Sequence, residues 1–131
     1  MESKEMIVYG KIVFTNDPPK GSLPKPSQLV VKLEDCRRAD AAAITISQVT
    51  IDAHTNYEEG KPLAFRITVP NFIIGMDYGM SAVLNVGWIP DAAKKEWIRR
   101  GDYLNDTTHT LMVTDSNQAE AEQNIEVIHY T

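Results

Sequence analysis

Apolar residues at every second position predict that most of this chain forms β-strands. The clearest stretch is residues 63–69, whose inward positions would be Leu63, Phe65, Ile67 and Val69. The same period of two, typical of a half-buried strand, recurs in residues 28–35, 78–88 and 124–130. It places Leu29, Val31 and Leu33 inward and Val30, Lys32 and Glu34 outward. In residues 78–88 the residues that share one face are Met80, Ala82, Leu84, Val86 and Trp88. Residues 6–14 are rich in β-branched and aromatic side chains and predict a first strand with apolar residues on both faces.

Two strands carry irregularities that predict a local distortion. In residues 44–51, Ile44 and Ile46 lie on one face, whereas Val49 and Ile51 lie on the other. A bulge near residues 47–48, or a strand that moves from one sheet to another, would bring both pairs to the same side. Gly10, in the first strand, predicts a bulge or a close approach of another backbone.

Turn and helix signals divide the remaining sequence. The proline-rich residues 16–27 and the polar residues 54–62 and 115–123 predict loops. Residues 35–43 predict a connection with one helical turn at most, and Pro70 predicts the end of its strand. An aspartate N-cap at Asp91, good helix formers and a glycine just beyond the end predict a short helix over residues 91–100.

These elements predict an all-β fold. About seven short, mainly antiparallel strands with one short helix favour a β-sandwich or an open barrel. The length of 131 residues is that of a single domain, so we expect residues 1–131 to form one unit.

Composition limits the function of the chain more than it defines it. A net charge of -5 argues against binding to nucleic acid. Cys36 is the only cysteine, which excludes an internal disulfide and a four-cysteine zinc site. The sequence has no run of about 18 apolar residues and no export signal, so we expect no membrane span. We expect a cytoplasmic protein, with an exported protein whose signal was removed as the alternative.

The sequence contains no convincing catalytic or metal-binding motif, and we expect neither an enzyme nor a cofactor. His54, His109 and His129 lack the spacing of metal ligands, and Ser47 does not lie in a nucleophile elbow. Cys36 is a candidate reactive thiol, because the adjacent arginines 37 and 38 would favour the thiolate, but a small buried residue is the commoner role.

Asp35 and Asp40 bracket the connection after the second strand. As a pair of carboxylates they could bind a metal or transfer protons. The interpretation we prefer is that they shape the turn by accepting hydrogen bonds from backbone N–H groups.

One basic cluster stands out in this acidic chain, and it is our candidate partner-binding site. It comprises Lys94, Lys95, Trp97, Arg99 and Arg100. Trp97 could anchor an acidic partner, as tryptophan often does at interfaces. Alternatively, Trp97 and Ile98 attach the predicted helix to the sheet and the charges only face water.

Several short motifs, in order, resemble the YbaY/YscW family, which includes lipoproteins and the pilotins of type III secretion systems. They lie at residues 29–35, 39–42 and 46–48, with further matches at 9–12, 62–65 and 101–107. The residues that carry the motifs, to which we assign a structural role, are Leu33, Glu34, Asp35, Ala39, Asp40, Ser47, Gln48, Asp106 and Thr107. The resemblance spans roughly residues 8–114, and residues 90–100 look like an insertion relative to the family.

The resemblance implies a β-sandwich and a non-enzymatic role. Pilotins bind and escort secretin subunits, so it implies a protein or peptide partner. The family is lipidated on a cysteine near the N-terminus, and Cys36 is not placed for that purpose. We therefore expect a chain without a lipid anchor.

Three functional hypotheses follow. The first is a chaperone-like module that docks a partner segment in an apolar groove or along a strand edge. The second is a carrier of a small apolar ligand, or a minor hydrolase, with an interior pocket lined by residues such as Tyr78, Met80 and Trp88. The third is a homodimer formed through an exposed strand edge.

Overall fold

The described residues form a curled, mostly antiparallel sheet of nine strands. This computed structural model describes residues 4–35, 44–72, 78–91, 93–105, 109–111 and 120–131. The elements are β1 (Lys4–Phe14), β2 (Gln28–Asp35), β3 (Ile44–Asp52), α1 (Ala53–Asn56), β4 (Leu63–Phe72), β5 (Tyr78–Asn85), β6 (Tyr103–Leu104), β7 (His109–Leu111), β8 (Glu120–Glu122) and β9 (Ile125–His129). The prediction of an all-β fold with a single short helix is confirmed for the described residues. None of their helices is long and apolar enough to cross a membrane.

The strands follow the order β3-β2-β5-β6-β9-β1-β4, with β7 also on β5 and β8 also on β1. All pairs are antiparallel except those of β1 with β8 and β9. The sheet curls until its first and last strands meet, and the Ser47 hydroxyl of β3 donates to the Thr68 carbonyl of β4 at 2.6 Å. The two end strands, β3 and β4, thus face each other. The homodimer through an exposed strand edge stays a prediction.

The core lies inside this curl and is built from the alternating apolar residues. The inward side chains predicted for β2, β4 and β5 are all buried: Leu29, Val31, Leu33, Leu63, Phe65, Ile67, Val69, Met80, Ala82 and Leu84. In β1, Met6, Val8 and Ile12 join them, whereas Tyr9 on the other face is 42% exposed. The period-two pattern therefore identified the core face correctly.

A bulge corrects the change of parity in β3, one residue from the predicted position. Leu33 pairs with Ser47 and Glu34 pairs with Thr45, so Ile46 has no partner on β2. Ile46, Val49 and Ile51 all pack against the core, as the bulge allows. Ile44 does not join them and is 59% exposed, so the prediction holds for one member of its pair only.

The predicted helix over residues 91–100 is wrong: no helix forms at residue 91 or at 93–100. The Asp91 side chain accepts from the backbone N–H of Ala93 at 2.9 Å, a tight turn instead of a helix cap. Farther on, the carboxylate of Asp102 binds the backbone N–H of Arg99 at 2.9 Å. The same carboxylate also binds Asn85, Val86 and Trp88, and these tertiary bonds outweigh a weak local preference for helix. The single described helix lies at Ala53–Asn56, where a loop was predicted, and Asp52 caps it.

Other boundaries also differ from prediction. The strand predicted over residues 78–88 ends at Asn85, and Val86 and Trp88 belong to the following loop. β4 continues through Pro70 to Phe72, because β4 is an end strand and two residues, 70 and 71, bulge against β1. Proline is tolerated at such positions, where its missing N–H is not needed. Glu120–Glu122, predicted as part of an acidic loop, forms β8 alongside β1.

Gly10 lies where another backbone crosses β1 closely, as the sequence predicted. A Cβ atom at Gly10 would overlap the carbonyl oxygen of Gln123 and lie 2.7 Å from the carbonyl carbon. Gln123 is the residue at which the chain leaves β8 for β9, and its N–H donates to the Tyr9 carbonyl at 2.9 Å. Only glycine permits this approach.

Tyr103 ties the turn after β1 to the strands β6 and β9. Its ring is 3% exposed, lies 5.0 Å from that of Phe14 and stacks on His129 at 4.6 Å. Its hydroxyl donates to the Asp17 carbonyl at 2.5 Å, and the Asp17 carboxylate lies 2.8 Å from His129 Nδ1. Burial, and then the charges of Asp17 and Tyr57, raise the pKa of Tyr103 to about 12.

We expect this tyrosine to make the fold lose stability at alkaline pH. The folded state holds the phenolic proton more tightly than the unfolded state, whose tyrosine pKa is 10.0. The stabilisation is complete below pH 10 and is lost as the pH rises towards about 12, by up to about 1.4 kcal/mol per pH unit. Urea unfolding at several pH values in this range would measure the unfolding free energy. It should fall with pH for the wild-type protein and fall less steeply for Tyr103→Phe. The same dependence on pH in both proteins would show that Tyr103 does not cause the alkaline loss of stability.

Candidate functional site

A strip of apolar side chains crosses the outer face of the sheet. Val30 of β2 pairs with Val83 of β5, which pairs with Leu104 of β6. Alternate residues of a strand point to opposite faces, so these three lie back to back with the buried Leu29 and Val31. The strip is the floor of a groove on the surface of the sheet.

The groove has a volume of about 610 Å³ and is walled on one side by Pro90 and Trp97. Trp97 is 54% exposed, a large value for the largest apolar side chain. Polar residues flank the apolar strip and complete the lining: Gln28, Lys32, Glu34, Gln48, Ser81, Asn85 and Asn105. An apolar floor, an aromatic wall and a polar rim are features of a site for a peptide or another elongated ligand.

The two charged residues of the lining, Lys32 and Glu34, differ in their surroundings. The Ser81 hydroxyl donates to the Glu34 carboxylate at 3.1 Å. Within the described part of the chain, the ammonium group of Lys32 has no hydrogen-bond or ion-pair partner. The groove therefore offers a cation that is available to a ligand.

The wall of the groove belongs to the 86–101 loop, which the buried carboxylate of Asp102 holds in place. Asp102 is 1% exposed. It accepts from the side chain of Asn85 and the indole N–H of Trp88, and from the backbone N–H groups of Val86 and Arg99, over 2.9–3.1 Å. One side chain thus binds the beginning and the end of the loop.

Further contacts stiffen the loop next to Trp97. The Asn85 amide, which Asp102 orients, also donates to the Trp97 carbonyl at 3.1 Å. The Arg99 guanidinium lies 3.9 Å from the centre of the Trp88 ring and 2.7 Å from the Glu96 carboxylate. That hydrogen bond lowers the pKa of Glu96 and raises the pKa of Arg99. The backbone that carries Trp97 is therefore fixed before any ligand arrives.

Of the basic cluster proposed from the sequence, one residue lies at the groove. Trp97 lines the groove, whereas Lys94, Lys95 and Arg100 are exposed and do not line it. Arg99 contacts Trp88 and Glu96 within the loop. The role of these five residues in partner binding stays a prediction, and the structure singles out Trp97 among them.

The family-motif residues divide between the core and the groove. Leu33 is fully buried, Ser47 bridges β3 to β4, and Glu34 and Gln48 line the groove. Asp35 ends β2, where its backbone pairs with Ile44 and Tyr78. The predicted roles of Cys36, Arg37, Arg38, Ala39, Asp40, Asp106 and Thr107 lie outside the described residues.

The interior pocket of the alternative hypothesis is not formed by the residues proposed for it. Tyr78 stacks on Phe72 with centroids 5.2 Å apart, and Met80 is fully buried in the core. Trp88 is bound to Asp102. A second cleft, of about 440 Å³, lies elsewhere, between the turn after β1 and residues 57–62, and none of these three residues lines it.

The described histidines have structural contacts. His54 Nδ1 lies 2.8 Å from the Leu23 carbonyl, and His129 Nδ1 lies against Asp17. Only the backbone of His109 is described, in β7. Among the residues that the structure describes, no three histidine, cysteine, aspartate or glutamate side chains are grouped to hold a metal ion.

Comparison with known proteins places the fold but not the family. No protein-family model matches the chain, and no curated protein matches it. A solved structure of an alternative pilotin from the type II secretion system of Vibrio cholerae does match. It has 17% sequence identity and a TM-score of 0.61, over 96% of this chain and 99% of that one. The chain therefore has a pilotin-like fold.

Proposed function

We propose that this chain is a non-enzymatic, pilotin-like binding module that docks a segment of a partner protein in the groove beside Trp97. The observation that carries the proposal is the exposed indole, held on a fixed backbone over an apolar strip of the sheet. Tryptophan is enriched among residues that dominate binding energy at interfaces. A preformed wall also lowers the ordering cost of binding.

The fold comparison supports a partner in a secretion apparatus. The matching structure is a pilotin of a type II secretion system, and the sequence motifs resemble the YbaY/YscW family of pilotin-like domains. We include membership of that family, and a secretin-like subunit as the partner, in the proposal. Such a partner favours the exported alternative over the cytoplasmic location expected from the sequence.

We expect Trp97→Ala to weaken partner binding roughly 30-fold, which corresponds to about 2 kcal/mol. Its stability should hardly change, because the indole is 54% exposed. The measurement is quantitative capture from extracts of the native host, with urea unfolding of the same variants to confirm their fold.

Ile89→Ala is the matched control. Ile89 lies on the same loop and is 53% exposed, but it does not line the groove. Its capture profile should match that of the wild-type chain. A partner that is retained equally by the Trp97 variant would show that the groove is not the docking site.

A further inference from the structure

We infer that the groove selects partner segments carrying an acidic side chain next to apolar residues, and that Lys32 binds that carboxylate. This inference rests on the proposed function, because it names the chemistry of the segment that the groove would accept. It concerns an internal segment of a partner protein, and not a free C-terminus.

Lys32 lies beside the apolar floor of the groove, on its polar flank. On β2 it pairs with Gln48 of β3 and with Ser81 of β5, and both neighbours line the groove. The apolar strip begins two residues away, at Val30 on the same face of the strand. A segment lying on the strip therefore passes beside the partly buried Lys32 side chain.

The charges beside the groove favour an acidic ligand. Glu34, the acid of the groove, receives a hydrogen bond from Ser81, whereas the Lys32 ammonium has no partner among the described residues. On the wall loop, Glu96 is paired with Arg99, and Lys94, Lys95 and Arg100 are exposed. Glu34 keeps its negative charge when it accepts from the neutral Ser81 hydroxyl, so Lys32 and Glu34 balance within the lining. The wall loop also contains the exposed Asp91, and its four cations and two acids leave it with a net charge of +2. The wall loop and the Lys32 ammonium therefore attract a carboxylate.

Docking makes this cation costly unless the ligand neutralises it. A segment packed against Trp97 and the apolar strip would remove water from Lys32, and a desolvated ammonium group without a partner is strongly unfavourable. A carboxylate supplies a charge-assisted hydrogen bond in place of that water. A segment with a neutral or basic residue at this point would leave the ammonium unpaired, which is the basis of the selection.

The test uses a displayed library of random peptides with blocked C-termini. The library is selected on the wild-type chain, and peptides that lose binding to Trp97→Ala are retained. We expect these peptides to be enriched in aspartate or glutamate beside apolar residues. One peptide is then synthesised with its acid and with the matching amide, and each form is measured against wild type and Lys32→Gln.

Removing either charge should weaken binding about tenfold, and removing both should weaken it no further. Lys20→Gln is the control, since it loses the same charge in the loop by the second cleft and should bind like wild type. Trp97-dependent peptides without an acid preference, or additive losses, would overturn the role of Lys32 and leave the proposed function standing. Peptides that need a free C-terminus would also overturn it. The absence of any Trp97-dependent peptide would overturn the proposed function itself.

Discussion

Asp102→Ala should lose about 4 kcal/mol of unfolding free energy. The variant leaves four donors without their acceptor, in a site where the carboxylate is 1% exposed. A buried donor that loses its partner costs about 1–3 kcal/mol, and four donors lose theirs together here, some of them near enough to solvent to be rehydrated. Urea unfolding would measure the loss, as a lower midpoint with an unchanged slope.

The same variant should release the 86–101 loop, and with it the wall of the groove. Trypsin cuts after lysine and arginine, and Lys94, Lys95, Arg99 and Arg100 all lie in this loop. We expect faster cleavage there in Asp102→Ala than in the wild-type chain under native conditions. Binding of a groove ligand should also fall, although Asp102 does not line the groove.

Two further variants test whether the lost hydrogen bonds of the Asp102 carboxylate cause this instability. Asp102→Asn keeps the shape but turns an amide N–H₂ towards N–H donors, so its loss should be smaller than that of the alanine variant. Asp91→Ala removes an aspartate of the same loop that accepts from the Ala93 N–H on an exposed surface, and it should cost at most about 1 kcal/mol. Equal effects of Asp91→Ala and Asp102→Ala would contradict the central role of Asp102.

This network explains why the loop could not be predicted from the sequence. Helix signals at Asp91 and Gly101 act over a few residues, and they are weak preferences. The bonds that decide the conformation join Asp102 to Asn85, Val86 and Trp88, which lie 14–17 residues earlier. A single aspartate after a glycine carries no local signal of such a role.

The strands, by contrast, were largely predictable, because burial on one face imposes a period of two. β2 was predicted with its observed bounds, and the parity change in β3 was traced to a bulge one residue away, at Ile46. The groove was not predictable, although Val30, Lys32 and Glu34 were expected to face outward. It needs the pairing of β2 with β5 and of β5 with β6, and the pattern within a strand does not name its neighbours.

Gly10→Ala should lose about 3 kcal/mol of unfolding free energy. Its new methyl group would overlap the Gln123 carbonyl oxygen, and its Cβ would lie 3.1 Å from the Phe65 ring. Backbone cannot move aside as easily as the end of a side chain, so overpacking here should reach the upper part of the usual range of about 1–3 kcal/mol. Urea unfolding is again the measurement.

The structural consequence should be specific to the crossing at Gln123. β8 pairs with Ile7–Tyr9 of β1, and β9 pairs with Ile12–Phe14, so Gly10 lies below the step between the two parallel pairings. Pushing Gln123 outward would break its bond to the Tyr9 carbonyl and the bond from the Lys11 N–H to the Asn124 side chain. Hydrogen exchange should therefore speed up at these amides before it does in β2 and β5.

Gly21→Ala separates steric overlap from the loss of backbone freedom. Gly21 has a φ of +68°, and a Cβ atom added there would meet no neighbouring atom within 4 Å. Only backbone strain of about 1–2 kcal/mol should therefore appear. At Gly10 the loss of stability should instead come from the overlap with Gln123. The contrary result would be that Gly10→Ala is as stable as Gly21→Ala, or more stable. That result would mean that the backbone at Gln123, between β8 and β9, can move aside. The close crossing would then not be what requires glycine at this position.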